Sequence, residues 1–311
     1  MSKDTALEFT NNILALVGGT QVSTIVGLTG GTIADITLRT INRAIKRIAG
    51  KPDVEWFTLF KSRLLQTRIY TASTITIAQD SGGDTITDSA SGLGSFDAGA
   101  ELVILDDSND NLRFTISSVA AGQIVLNEAE IATAVAIGSS ISVVQVSYPV
   151  ASDFRNSIDL LDPANNTIIK PRYTKSIDME RRWANNATGD PDLFTVAGNF
   201  YRLSWIPGSQ LTHIDRYMAY PTELTLDAQT SDLPEFCDNA IHYLAYSDIL
   251  FFKKNLEQGA AEFSKYKGEI EQAIDANQRI SDMENVVEMN SDRLMGSPSV
   301  SSNSLLTIVD D

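Results

Sequence analysis

The residues whose types and spacing could do chemistry fall into a few groups. Gly27, Gly30, Gly31 and Thr32 stand before a helical stretch, where a glycine-rich turn can cradle a phosphate on backbone N–H groups. The run has no lysine to reach the phosphates and follows no predicted strand, so it reads as a loop and helix cap. Asp106, Ser108 and Asp110, interleaved with Asp107, Asn109 and Asn111, have the oxygen density of a calcium loop. That loop needs a glycine at its sixth position and a glutamate at its last. From Asp106 or Asp107 those places hold Asn111 or Leu112, and Ser117 or Ser118, so a polar hairpin turn accounts for the run. His213 and His242 are the only histidines and Cys237 the only cysteine, too few and too scattered for a zinc set. The 40 acidic residues guarantee chance carboxylate pairs, and none stands in a setting that marks a glycosidase. No nucleophile elbow occurs. No catalytic residue, metal site or cofactor is expected.

One charged group remains. Arg39, Arg43, Lys46 and Arg47 form a basic stripe on the helix face opposite Leu38, Ile41, Ile45 and Ile48. Two readings stay open: a solvated helix face, or an inter-subunit or DNA-facing contact that meets acidic neighbours or passing phosphates.

The elements that must position these residues follow from periodicity. In residues 1–70, Asp4 or Thr5 can cap a helix with Phe9, Ile13 and Leu16 on one stripe, ended by Gly18 and Gly19. Thr32 caps a second helix, closed by Gly50 and Pro52, and Val54–Leu65 reads as a third helical stretch. From about Arg68 the period changes to 2, and residues 71–148 hold six short alternating strands broken by turn residues, a small inserted β-barrel or sandwich closed by Pro149. Residues 149–232 look mixed, with hairpins dominating. Residues 233–290 return to helix, first strongly apolar (Phe236, Ile241, Leu244, Ala245, Ile249, Leu250, Phe252), then a long polar helix with a narrow stripe of Phe263, Tyr266, Ile270, Ile274 and Ile280. Residues 291–311 are Ser-rich and read as a flexible arm carrying an apolar patch, Leu305, Leu306, Ile308 and Val309. The expected fold class is α+β: a helical bundle built from both chain ends, with the inserted β domain and additional β-hairpins.

Charge narrows the partners. The net charge is −16, unevenly spread: residues 1–70 carry +4, residues 71–148 carry −9 with Arg113 as their only cation, and the remainder carries −11. Tight DNA binding by counterion release calls for the opposite balance. No apolar run approaches the roughly 20 residues of a spanning helix, and the opening MSKDTALEF lacks signal-peptide architecture, so no membrane partner is expected.

Three stretches together resemble one family. The first is FTNNILALVGGTQVSTIVGLTGG, followed by IADITLRTINRAIKRIAG and Trp56-Phe57; the second is YPVASDFRNSIDLLD, GDPDLFTVAGNFYRLSWIPGS and YMAYPTELT in succession. The third is the pair LPEFCDNAIHYLAYSDILFF and EFSKYKGEIEQAI. Their order is similar to that of the tail tubular protein A, or head-to-tail adaptor, family of short-tailed phages, over most of residues 6–280.

The resemblance implies a non-enzymatic virion protein at the head–tail junction, assembled in the host cytoplasm. Its partners would be copies of itself in a ring of roughly twelve, the portal protein on one side, the tail nozzle protein on the other, and genomic DNA passing non-specifically through an acidic lumen. From its composition, the apolar patch Leu305, Leu306, Ile308 and Val309 is expected to be a portal-docking arm. The alternative reading is a virion-associated glycan-degrading enzyme or glycan-binding tail module.

Overall fold

A computed structural model describes residues 3–52, 54–79, 83–105, 113–127, 140–165, 167–171 and 188–294, with side chains in the last helix as far as residue 280. Asp106–Asn111 and the apolar patch Leu305–Val309 lie outside the described residues. The chain divides into two compact units, one from residues 1–58 and 221–311, the other from Leu59–Tyr220.

The first unit holds four helices among the described residues: α1 (Ala6–Leu16), α2 (Ile33–Ala49), α3 (Asp238–Phe252) and α4 (Leu256–Leu294). The first two starts are written locally. Thr5 Oγ1 accepts the Glu8 N–H while the Glu8 carboxylate accepts the Thr5 N–H at 2.8 Å, a reciprocal cap. Thr32 Oγ1 accepts the Asp35 N–H at 3.2 Å. α2 buries Ile41, Ala44, Ile45 and Ile48 on one face. It also buries Thr37 and Thr40, whose hydroxyls donate to the Ile33 and Ile36 carbonyls of the same helix and so leave no polar group unpaired.

Helix α3 is packed by α1, α2 and α4 and is apolar almost all round, which is what a central helix needs. Trp56, fully buried, donates its indole N–H to the Ile48 carbonyl at 3.0 Å and lies 6.5 Å from the Phe236 ring. Asn277 of α4 grips the same segment, accepting the Phe57 N–H and donating to the Glu55 carbonyl. No helix among the described residues is long and apolar enough to cross a membrane.

Among the described residues, the second unit holds fourteen strands in two seven-stranded sheets. One sheet runs in the order β2 (Ile69–Ala72), β8 (Ile141–Gln145), β5 (Glu101–Leu105), β6 (Arg113–Ala120), β7 (Gln123–Leu126), β4 (Thr85–Asp88), β3 (Ile75–Ala78). Its alternating apolar positions form one core that includes Ile75, Ile77, Ile86, Leu102, Ile104 and Phe114. The other runs β1 (Phe60–Gln66), β14 (Thr212–Ala219), β10 (Phe154–Asp162), β11 (Thr167–Pro171), β12 (Leu193–Ala197), β13 (Phe200–Leu203), β9 (Ser147–Pro149). Its core gathers Leu65, Tyr148, Leu160, Ile169, Phe194, Tyr201 and Leu203.

This architecture corrects the expected fold class. With fourteen strands against four helices among the described residues, the chain is mostly β. It is not a helical bundle from both chain ends carrying β additions. Two misread segments account for much of the difference. Val54–Leu65 is not a helix: a 3-10 turn at Phe57–Leu59 leads into β1, all seven of whose residues pair antiparallel with β14. The i, i+4 spacing of Phe60 and Leu64 fits a helix as well as one face of a strand, and only the distant partner β14 settles which forms. The region expected to be mixed, residues 149–232, carries β10–β14, five of the seven strands of the second sheet.

Candidate interaction surface on the second helix

The basic stripe lies on the exposed side of α2, where Arg39, Arg43, Lys46 and Arg47 all reach water. Three of the four are held by carboxylates of the same unit. Arg39 Nε donates to Asp35 Oδ1 at 2.9 Å one turn earlier. Lys46 Nζ meets Glu223 Oε1, and Arg47 Nη1 meets Asp248 of α3 at 3.0 Å. Such exposed pairs contribute at most about 1 kcal/mol each, so they orient the side chains more than they stabilise the fold. Arg43 pairs with no carboxylate among the described residues. The stripe therefore presents one free guanidinium among three largely neutralised cations, a weaker positive face than the residue count suggests. Asn42, on the same helix, ties the segment after Pro221 to α2: its amide donates to the Leu224 carbonyl and its carbonyl accepts the Leu224 N–H at 2.8 Å.

The glycine-rich run before α2 is occupied from within. Gly27, Gly30 and Gly31 take positive φ, which only glycine adopts without strain. The Gly31 N–H donates to Asp35 Oδ2 at 3.1 Å. An incoming phosphate would compete with a carboxylate already seated at that helix start. His213 sits on β14 and His242 on α3; burial holds both below the usual histidine range, while Asp162 and Asp4 respectively oppose the shift. Neither ring nitrogen of the buried His213 has a hydrogen-bond partner among the described residues. Cys237 is buried with its thiol pushed up by burial and by Asp238. No cluster of three metal-ligating side chains occurs among the described residues.

A second feature of this unit escaped the periodicity reading. Leu16, at the end of α1, is 53% exposed, and Phe252 and Leu256, flanking the α3–α4 turn, are each 67% exposed. Both Leu16 and Phe252 had the spacing of core residues. The two helix ends are neighbours, since Lys253 Nζ donates to the Val17 carbonyl at 2.8 Å. The turn is tight: Lys254 takes a φ of 63° and the Phe251 ring presses on Gly259, where an added Cβ would meet ring carbons at 2.9 Å. Leu16, Phe252 and Leu256 thus leave apolar area in water at the helix ends.

No family model and no curated protein matches this chain.

Proposed function

We propose that this chain is a non-enzymatic structural subunit, a head-to-tail adaptor of a tailed phage, which closes with copies of itself into a ring between portal and tail nozzle. What supports self-association is the apolar group Leu16, Phe252 and Leu256, left in water by the single chain at one end of packed helices. A heterologous contact between such a tip and a different surface of the next copy closes into a ring when the rotation allows. The adaptor reading itself rests on the order of the three sequence stretches described above. The strong acidity of residues 71–148 suits a wall past which DNA slides, since each phosphate contact would slow its passage.

Electron microscopy tests this reading directly. Particles of the purified protein at high concentration should show closed rings, and labelled protein should locate at the head–tail junction of virions. A chain that stays monomeric at every concentration, or a label found elsewhere on the particle, overturns it. The variant Phe252→Glu should fold normally and fail to close rings.

A further inference from the structure

The second sheet of the Leu59–Tyr220 unit has one buried face and one open face, and the open face carries an apolar row. Leu64 on β1 pairs with Ile214 on β14, Ile214 with Leu161 on β10, and Leu161 with Ile168 on β11. Directly paired residues point to the same side of a sheet, so these four aliphatic side chains form a continuous line across four strands. Leu64 is 67% and Ile168 51% exposed, and Phe60, four residues before Leu64 on the same face, is 41% exposed. The opposite side chains, Leu65, Leu160 and Ile169, are buried in the core. The open face thus carries an apolar row beside its polar side chains, among them the Arg216–Asp159 pair, where an antiparallel sheet ordinarily shows water a polar side throughout.

The row runs to an edge. β1 is the terminal strand of its sheet, and no strand pairs its outer side among the described residues. Proteins protect such edges with charge. Here Lys61 is held by Asp153 at 2.7 Å and Arg63 by Asp215 at 2.9 Å, so the two cations of β1 are drawn back to its own sheet. An incoming strand would meet no uncompensated charge.

The sequence contains a segment of matching character. Leu305-Leu306-Thr307-Ile308-Val309 is apolar and β-branched, and it is followed by Asp310 and Asp311 with no cation nearby. β1 carries no acid, and its two cations are already paired, so Asp310 and Asp311 would meet no like charge along that strand. Five extended residues span roughly 17 Å, within the length of the seven-residue β1. As an added strand, the segment would place Leu305, Thr307 and Val309 on one face and Leu306 and Ile308 on the other, extending both the open row and the buried core.

We propose that the outer edge of β1 and the apolar row beside it receive the Leu305–Val309 segment of a second copy as an additional strand. The occupant takes from the preceding section only that copies of the chain associate; it does not depend on the adaptor role. Main-chain hydrogen bonds would supply the affinity and the row Leu64–Ile214–Leu161–Ile168 the register.

The test uses the chain ended after Met295 and a labelled synthetic peptide of residues 303–311. The peptide should bind the shortened chain with a Kd in the micromolar range, slow amide exchange across Phe60–Gln66, and bind at least tenfold more weakly to a Leu64→Glu variant. The full chain should associate with rising concentration in light scattering, and the shortened chain should not. A peptide that fails to bind overturns the proposal. So does a full chain that stays monomeric with Phe60–Gln66 already protected, which would mean the segment serves its own sheet. Association of the shortened chain through β1 would instead assign the edge to another part of the second copy and also overturn it. Should the adaptor reading fail, microscopy would find no label at the head–tail junction while peptide binding persisted, so the two failures are distinguishable. Ile168→Glu is the second row variant, should Leu64→Glu not fold.

Discussion

Arg63 on β1 and Asp215 on β14 stand directly opposite each other and are joined by a 2.9 Å bond from Arg63 Nε to an aspartate that is wholly buried. Asp215 also accepts the Tyr201 hydroxyl at 2.8 Å, and Arg63 Nη2 donates to the Pro149 carbonyl. Burial pushes the Asp215 carboxyl up, against the hydrogen bonds from Arg63 and Tyr201. Removing the cation leaves a buried charge with one partner fewer. We expect Arg63→Met to cost about 3–5 kcal/mol in urea unfolding at pH 7.5.

The sign of the pH dependence in that variant follows from the same carboxyl. A raised folded-state pKa means the group's contribution is fully present below its ordinary value of 3.8 and lost as pH rises through the folded value. Loss of Arg63 raises that value further, so the defect should shrink on going from pH 7.5 to pH 4.5. A variant within about 1 kcal/mol of the parent at pH 7.5 would show that the pair is not what holds β1 to β14.

Asp88, at the end of β4, behaves in the opposite sense. Burial alone would raise its carboxyl, but hydrogen bonds from the Thr74 and Tyr70 hydroxyls and the Gly92 and Ala90 N–H groups outweigh it and hold the pKa at about 2. Its contribution is present above the ordinary 3.8 and is lost as pH falls toward 2. Asp88→Ala should cost about 2–3 kcal/mol at neutral pH, because four donors lose a charged acceptor. It should also flatten the acid limb of the stability curve between pH 4 and 2. An unchanged acid limb would assign that loss to other carboxylates.

Asp238 begins α3 with one oxygen on the Asp4 N–H and the other unpartnered. Burial, with help from the negative charges of Asp4 and Glu235, raises its pKa to about 6. Its contribution is therefore greatest below pH 3.8 and is lost as pH rises through 6. Asp238→Asn keeps the acceptor for Asp4 and carries no charge. After allowance for solvent screening and for the lost helix-dipole term, we expect about 1 kcal/mol in favour of the variant at pH 7.5 and no difference near pH 4. Thermal melts across that range would check it, and a variant less stable than the parent at pH 7.5 contradicts it.

On α2, Arg43 is the cation without a carboxylate partner among the described residues, so the functional reading of the stripe concentrates there. Arg43→Glu should change the melting temperature little, as an exposed substitution within about 0.5 kcal/mol. It should nevertheless impair ring closure or genome retention. Normal particle yield and retention would leave the stripe a solvated helix face.

Local chemistry was legible in the sequence where it acts over a few residues. Thr32 as a cap, the burial of Ile41, Ile45 and Ile48 on α2, and the alternation that builds the core of Ile75, Ile77, Ile86, Leu102 and Ile104 all depend on neighbours within one turn or one pleat. What the chain alone could not decide was set by partners far along it. Phe60–Gln66 became a strand because β14, some 150 residues away, supplied its ladder; with backbone hydrogen bonds met on one side, the same residues leave an edge and an apolar row on the other. Leu16 and Phe252 kept the spacing of core residues yet lie exposed, each at the last position of its helix. Lys46 and Arg47 read as free charges until Glu223 and Asp248 were brought beside them. Periodicity registers which side of an element is apolar. Only the tertiary structure says which apolar side finds a partner within the chain and which is left for another molecule.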